Sequence, residues 1–497
     1  MTPINTGDPV NLAVICLSVG ITYYVLYAFY QLFLSPMRIH PGPLLWKISL
    51  VPRAYYLMKG ELPFRIAKMH DKYGPVLRIA PNELSFRDAD AWKEIYGHRS
   101  AGEEEYPKWK PFYKPVSSQA HSVINVGREA HSVMRRQLAN GFSDRSMRAQ
   151  EPIIGSYVNL LVRRLREQCD KGAGTAMVNM RNWFDYTTFD IIGELGMGDS
   201  FGGLENSGYH PWVALINNTV KQTAMLSTAV RMGYAWLVQF VYDHGIISQA
   251  EHAQIVKSKL SQRMELKAER PDLIEGLVRR KNDLGLSFDE LAANADLLII
   301  AGSETTSTLL GGATYLLATH PEQYARVTHE VRSAFQSDDE ITLTSVNGLT
   351  YMLACLNETL RHYPPVVTGL PRLVPKGGRY IAGKFVPENT IVGVWQWAIN
   401  HDPRYWTEPN AFHPERWMGD ERFKTDRFDA MQPFSTGPRN CIGKNLAYAE
   451  MRLILAKLLY NFDIAIDESS RDWLTSQKAY VVWDKPMLNV HLTPVVR

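Results

Sequence analysis

Three observations predict a mainly α fold with a small β region, preceded by one N-terminal transmembrane helix. Helical patterns run through 128–142, 290–318 and 444–460. Residues 76–87 alternate apolar and polar on both sides of a Pro-Asn turn and read as a β-hairpin. Val10–Leu34 is apolar and long enough to span a bilayer, which takes about 20 such residues.

No Asp, Glu, Lys or Arg occurs from Pro9 to Met37. A cleaved signal peptide fits less well. The run is too long for an h-region, no basic segment precedes it, and no small-residue cleavage site follows. Tyr23, Tyr24, Tyr27 and Tyr30 can sit toward one interface. Asp8 is the sole charge before the span, whereas Arg38, Lys47 and Arg53 follow it, so the remainder of the chain is expected in the cytosol. The expected division is 1–9 as a short lumenal terminus, 10–34 as the anchor, 35–60 as a stiff connector with Pro36, Pro41 and Pro43, and 61–497 as the cytosolic domain.

The 497 residues are 45% hydrophobic and 21% charged with a net charge of +3, which describes a large-cored globular protein. The balance is neither disordered nor basic enough to point to nucleic acid. Four cysteines, Cys16, Cys169, Cys355 and Cys441, imply no disulfide framework. The Asn217 and Asn357 sequons are expected to go unused on the cytosolic side.

Residues 100–126 read as a long loop, a length uncommon without a function. In 128–142, His131 and Arg135 stand one turn apart on one helix face with Arg136 beside them. A solvated basic face is the plain alternative. Around 210–260, Met225, Met232, Trp236, Phe240 and Tyr242 are explained mostly by core packing. The apolar helix 290–318 is interrupted at Ala301-Gly-Ser-Glu-Thr-Thr306. Buried acid and hydroxyl groups are costly without a purpose. Glu304 and Thr305 are therefore expected to form a proton relay, with Gly302 opening the helix locally.

Near the C-terminus, Phe434-Ser-Thr-Gly-Pro-Arg-Asn-Cys-Ile-Gly443 sets one cysteine between two glycines at the start of a helix. Free N–H groups and the dipole there stabilise a thiolate. Gly437 and Gly443 let the backbone lie against a flat ligand. Arg439 can pair with a carboxylate on that ligand, and Phe434 completes the set. A haem iron held by Cys441 thiolate is the chemistry this set serves.

That segment resembles the Phe-x-x-Gly-x-Arg-x-Cys-x-Gly signature of the cytochrome P450 superfamily at every fixed position. Ala301–Thr306, Glu358-Thr-Leu-Arg361 and Pro414-Glu-Arg-Trp417 resemble three further family motifs in register. The resemblance covers the chain from about Pro41-Gly-Pro43 onward. It implies one large, mainly helical domain with a small β region, and haem b with Cys441 as the axial ligand. It also implies haem-propionate contacts from Arg135, His131 and Arg372, with His131 standing where many members have tryptophan. Leu298, Ala301, Val366, Val367 and Thr368 are implied to line the substrate pocket, and loop 100–126 to cover it. The helices around 210–260 are implied to roof the pocket and touch the membrane. Glu358, Arg361 and Arg416 are expected to form a buried ion network.

Trp183-Phe-Asp-Tyr-Thr-Thr-Phe-Asp-Ile-Ile and Gly437-Pro-Arg-Asn-Cys-Ile-Gly-Lys-Asn-Leu446 are similar to fungal members that decorate terpenoid, polyketide or alkaloid skeletons. The resemblance implies hydroxylation or epoxidation of a hydrophobic small molecule at the endoplasmic reticulum membrane. Its implied partners are membrane lipid and an NADPH–cytochrome P450 reductase, because the chain carries no flavin or dinucleotide fingerprint. Arg128, Arg136 and Lys444 are expected to present a basic face to that reductase. A different class is open through Gly198-Asp-Ser-Phe-Gly202, which fits the nucleophile elbow of a membrane-anchored serine hydrolase. The elbow needs a preceding strand where helical spacing is read. A haem-thiolate isomerase or dehydratase is the third reading.

Overall fold

The computed structural model describes residues 9–100, 102–116, 119–208, 221–244, 250–266, 270 and 272–496. The apolar N-terminal stretch is α-helical over Pro9–Phe29 and continues as a π-helical turn, Tyr30–Leu34. None of the Pro9–Phe29 side chains is buried by protein. A helix of this length and composition is a candidate membrane anchor.

Residues 36–60 pack closely on the domain. They form a 3-10 turn, Pro36–Ile39, and helices Leu44–Ile48 and Val51–Met58, which bury Met37, Trp46 and Leu57. The base of the anchor is tied down as well. Buried Arg78 donates to the Gln31 backbone carbonyl at 3.1 Å, to the Gln31 side-chain oxygen, and to the Pro81 carbonyl at 2.6 Å.

The hairpin forms as the alternation predicts, with Val76–Ala80 antiparallel to Glu83–Phe86 and Val76 facing Phe86. Ile391–Val394 adds parallel to the second strand, and Arg372–Leu373 adds antiparallel beyond it. Both hairpin faces are buried, so the polar face needs partners. His70 Nε2 lies 2.7 Å from Ser85 Oγ, and Glu83 lies between Arg53 and Arg231.

The domain is built around the helix Phe288–Thr319, which starts at a capping box made by Ser287 and Glu290. Ile299, Leu310 and Ala313 on it are fully buried. It packs against the helix Met180–Met197 so closely that a Cβ at Gly302 would come 2.7 Å from Ile192. Helix Lys444–Asn461 and a three-stranded sheet (Ala176–Asn179, Asn489–Pro494 and Phe462–Ile466) complete the core. The described residues of 100–126 are irregular apart from the short helix Lys110–Tyr113 and a bridge from Lys108 to Arg372.

Two expectations change. Gly302 does not open its helix, which is continuous over Phe288–Thr319; it lets two helices touch. Core packing holds in part for Met225, which is half-buried against a smaller core cluster. It fails for Met232, Trp236 and Phe240, because the helix Ala235–Asp243 and the turn before it turn these side chains outward. Residues 209–220, including Asn217, lie outside the described residues, as do 245–249. The Gly198–Gly202 segment follows the end of a helix, with Gly198 in the left-handed region at φ 73°. No strand precedes Ser200, so the hydrolase elbow is absent.

The Glu358 network forms as expected, with no side-chain exposure at Glu358, Arg361, Arg416 or Asp426. Arg361 donates to both Glu358 oxygens at 2.8 and 3.0 Å, and Arg416 donates from Nε at 3.1 Å. The His413 backbone N–H and the Trp417 indole donate at 3.0 Å each. Burial alone would raise the Glu358 pKa, but Arg361 and Arg416 hold it below the ordinary carboxylate value. Arg416 also pairs with Asp426. Replacing Arg416 by leucine leaves two buried carboxylates short of a partner, which costs about 3–5 kcal/mol. Urea unfolding of Arg416→Leu is therefore expected to show an early midpoint and low haem content; an unchanged midpoint rejects this role.

Candidate active site

The Cys441 loop is held at three points. The Cys441 N–H donates to the Phe434 carbonyl at 2.8 Å. Gly437 has φ 75°, and a Cβ there would fall on the Tyr96 carbonyl oxygen, so only glycine fits. Arg135 donates to the Asn440 backbone carbonyl at 2.7 Å and to its side-chain oxygen at 2.6 Å. Arg135 thus braces the cysteine loop, a task that its expected role as a propionate contact did not include. Gly443 has φ −86° and ordinary clearance, so nothing in the protein itself demands glycine there.

A cavity of about 280 Å³ opens over the loop. Phe434, Cys441 and Gly443 form part of one wall, and Leu298, Ala301, Gly302 and Thr305 lie on another. Val366 and Thr368 line it as expected, and so does Arg439. Val367 does not. It is fully buried in the core, its side chain turned away from the cavity that Val366 and Thr368 on either side of it line. Burial raises the Cys441 thiol pKa, while the Gly443 N–H, Arg135 and Lys444 pull it down.

Glu304 and Thr305 do not face the cavity together. Adjacent helical residues point about 100° apart. Thr305 reaches the cavity and its hydroxyl donates to the Ala301 carbonyl at 2.8 Å. Glu304 turns inward, where Lys485 Nζ donates to it at 2.7 Å and Thr308 at 3.3 Å. Burial raises the Glu304 pKa against the pull of Lys485. The pair cannot be a direct relay; Thr306, the next residue of the helix, lines the cavity beside Thr305.

Cations gather at one side of the cavity. Arg439 pairs with Glu105 and donates to the Val126 carbonyl at 3.2 Å. Buried Arg372 lies over the rings of Tyr96 and Tyr113, at 5.6 and 5.9 Å, and its Nη1 has no partner. Burial, then Arg372 and Arg439, push the Lys108 pKa well below the ordinary amine value. His131 is buried, and burial followed by Arg439 and Lys108 lowers its pKa to about 3, so it is neutral at pH 7. Among the described residues Glu105 is the carboxylate paired within this group.

Sequence reasoning missed Lys108 and Glu450. Lys108 is one of three lysines in 108–114, and nothing in the sequence sets it apart from Lys110 and Lys114. Glu450 lines the cavity from the helix Lys444–Asn461, and burial pushes its pKa up to about 8. An acid one residue before Met451 and four after Leu446, on a helix face that also carries Ala447, is the signal that points to it.

The family model described as Cytochrome P450 matches residues 38–491. The chain is 48% identical over 485 residues to cytochrome P450 monooxygenase tpeC of Talaromyces stipitatus, covering 97% of this chain and 95% of that protein. It is 45% identical over 482 residues to the trichothecene C-15 hydroxylase of Fusarium sporotrichioides, covering 96% of each. Cytochrome P450 monooxygenase prhB of Penicillium brasilianum is 40% identical over 469 residues, covering 94% of this chain and 95% of that protein.

Haem suits the residues present. Cys441 supplies a sulfur at the cavity wall, and the apolar walls suit a flat macrocycle. The partnerless Arg372 nitrogen and the depressed Lys108 mark a positive lobe that two propionates would neutralise. When bound, haem supplies oxygen activation, with the thiolate pushing electron density toward O–O cleavage. Cysteine loop, cavity and cation cluster agree with the near-full-length matches: this chain belongs to the cytochrome P450 family and is a haem-thiolate monooxygenase.

Proposed function

We propose that the chain hydroxylates or epoxidises a hydrophobic small molecule as a tailoring step in fungal secondary-metabolite biosynthesis. It would do so from the endoplasmic reticulum membrane with its domain in the cytosol. The reaction takes one oxygen atom of O2 into a C–H bond or alkene and reduces the other to water, consuming two electrons and two protons. Electrons come from NADPH through a separate cytochrome P450 reductase. The observation that carries this reading is the apolar cavity with Cys441 on one wall and the Thr305 hydroxyl on another. A cavity wall bearing hydroxyls suits proton delivery better than a rearrangement without net oxygen insertion.

Within this reading the residues have separate tasks. Cys441 holds the cofactor, and Arg439, Arg372 and Lys108 hold its acidic edge. Leu298, Ala301 and Val366 exclude water and pack the substrate. Thr305 passes protons at its Oγ1, and Glu304 acts from behind the helix through Lys485 and Thr308.

The first test is spectroscopic. The ferrous–CO complex of the wild type should absorb far to the red of a histidine-ligated haem, and Cys441→Ala should lose that band. Its survival in Cys441→Ala rejects the ligand assignment.

Thr305→Ala is expected to keep haem and substrate binding while most NADPH consumption yields peroxide. An unchanged ratio of product to NADPH removes Thr305 from proton delivery.

Arg136 and Lys444 are exposed beside the cysteine loop and fit a docking face for an acidic reductase surface. Lys444→Glu should slow reductase-driven turnover at low salt and spare peroxide-driven turnover. The difference should fade as the Debye length shrinks to about 8 Å at physiological ionic strength. Equal losses in both assays would assign Lys444 to the haem site instead.

A further inference from the structure

Arg231 carries a buried charge that its neighbours do not neutralise. Its side chain is 5% exposed, and Nη1 lies 2.6 Å from Glu83 Oε2. Nε and Nη2 have no hydrogen-bond partner among the described residues. The same Glu83 oxygen also faces Arg53 Nε at 2.8 Å. Two guanidinium groups therefore share one carboxylate, which leaves a positive charge in excess. The Trp109 ring, 5.0 Å from the Arg231 guanidinium, softens that charge without cancelling it. Burying an uncompensated cation is costly, and a site that keeps one is suited to an anion from outside.

A cavity of about 30 Å³ lies among Arg53, Glu83, Trp109, Arg231 and Thr368. By this measure one water needs about 10–15 Å³, so there is room for about two oxygen-sized atoms. Thr368 lines both this cavity and the larger one over Cys441, and its buried hydroxyl has no partner. The two cavities thus lie on either side of Thr368.

We propose that Arg231, supported by Arg53, is an oxyanion-recognition site, and that the substrate carries a carboxylate at the end remote from the oxidised carbon. The carboxylate accepts from Arg231 Nε and Nη2, which present the fork that matches two oxygens. Thr368 donates to a polar atom further along the same molecule, whose apolar body fills the cavity over Cys441. This rests on the monooxygenase reading and narrows its substrate class to hydrophobic acids. It makes Arg231 a specificity-determining residue of the reaction.

The test uses the full-length holoenzyme in detergent and three probes of equal length: dodecanoate, dodecanol and dodecylamine. Binding is read by isothermal titration calorimetry, independently of turnover. Wild type should bind dodecanoate about tenfold or more tighter than dodecanol, as charge-assisted hydrogen bonds imply, and dodecylamine weakest. Arg231→Gln should erase the preference for dodecanoate and leave dodecanol affinity within about twofold, and Arg231→Lys should keep part of the preference. Glu83→Gln removes the competing carboxylate and should tighten dodecanoate binding further.

Equal affinity for dodecanoate and dodecanol in the wild type overturns the proposal. So does an equal loss for both probes in an Arg231→Gln protein that keeps its ferrous–CO band. If Arg231→Gln does not fold, Glu83→Gln decides, and no gain for dodecanoate there rejects the site. An intact thiolate–CO band without any carboxylate preference leaves the monooxygenase reading standing, whereas a wild type lacking that band removes the reading itself.

Discussion

The buried Glu358 cluster is the constraint on which the active-site loop depends. Between residues 407 and 431 the chain runs through short 3-10 turns with no sheet ladder to hold it. Its shape comes from side chains that reach inward. Arg416 spans Glu358 and Asp426, Asp426 accepts from the Thr407 N–H at 2.7 Å, and Arg361 donates to the Pro409 and Ala411 carbonyls at 2.7 and 2.8 Å. The stretch so fixed leads into Phe434 and Cys441. Two positive and two negative charges, all without exposure, would be a poor way to gain stability alone. They gain meaning by fixing the position of a loop whose backbone cannot fix itself.

The chemistry of the cysteine loop was legible because it needs a fixed spacing of unusual residue types. The left-handed Gly437 and the Phe434–Cys441 backbone bond are written into that spacing. Glu304 and Thr305 were legible as important but not in direction, since sequence adjacency hides the angle between neighbours on a helix. Lys485, which holds Glu304, lies far downstream and belongs to no pattern. Val367 was misplaced for a similar reason, the side to which it turns within an irregular segment being set by packing. The exposed Trp236 and Phe240 show that apolar residues are not always core.

Electrostatics divide the interior into unlike regions. Around Glu358 charges nearly balance. Beside Cys441, Arg372 and Arg439 stand against the single carboxylate of Glu105, a positive excess that suits the acidic edge of a cofactor. At Glu83, Arg53 and Arg231 leave another on the far side of Thr368. A chain with a net charge of only +3 thus still holds local positive excesses where water is excluded and each charge acts most strongly.

The grip of Arg78 on Gln31 bears on how the molecule sits in the cell. A loosely tethered domain would tumble above the lipid and offer its face at every height and angle. Here the last turn of the apolar helix is bonded to the hairpin, and Met37 just beyond it is buried in the domain. The helix then acts as a bracket. Were that helix to sit in a bilayer, the domain would be held at one tilt and one depth instead of sampling many.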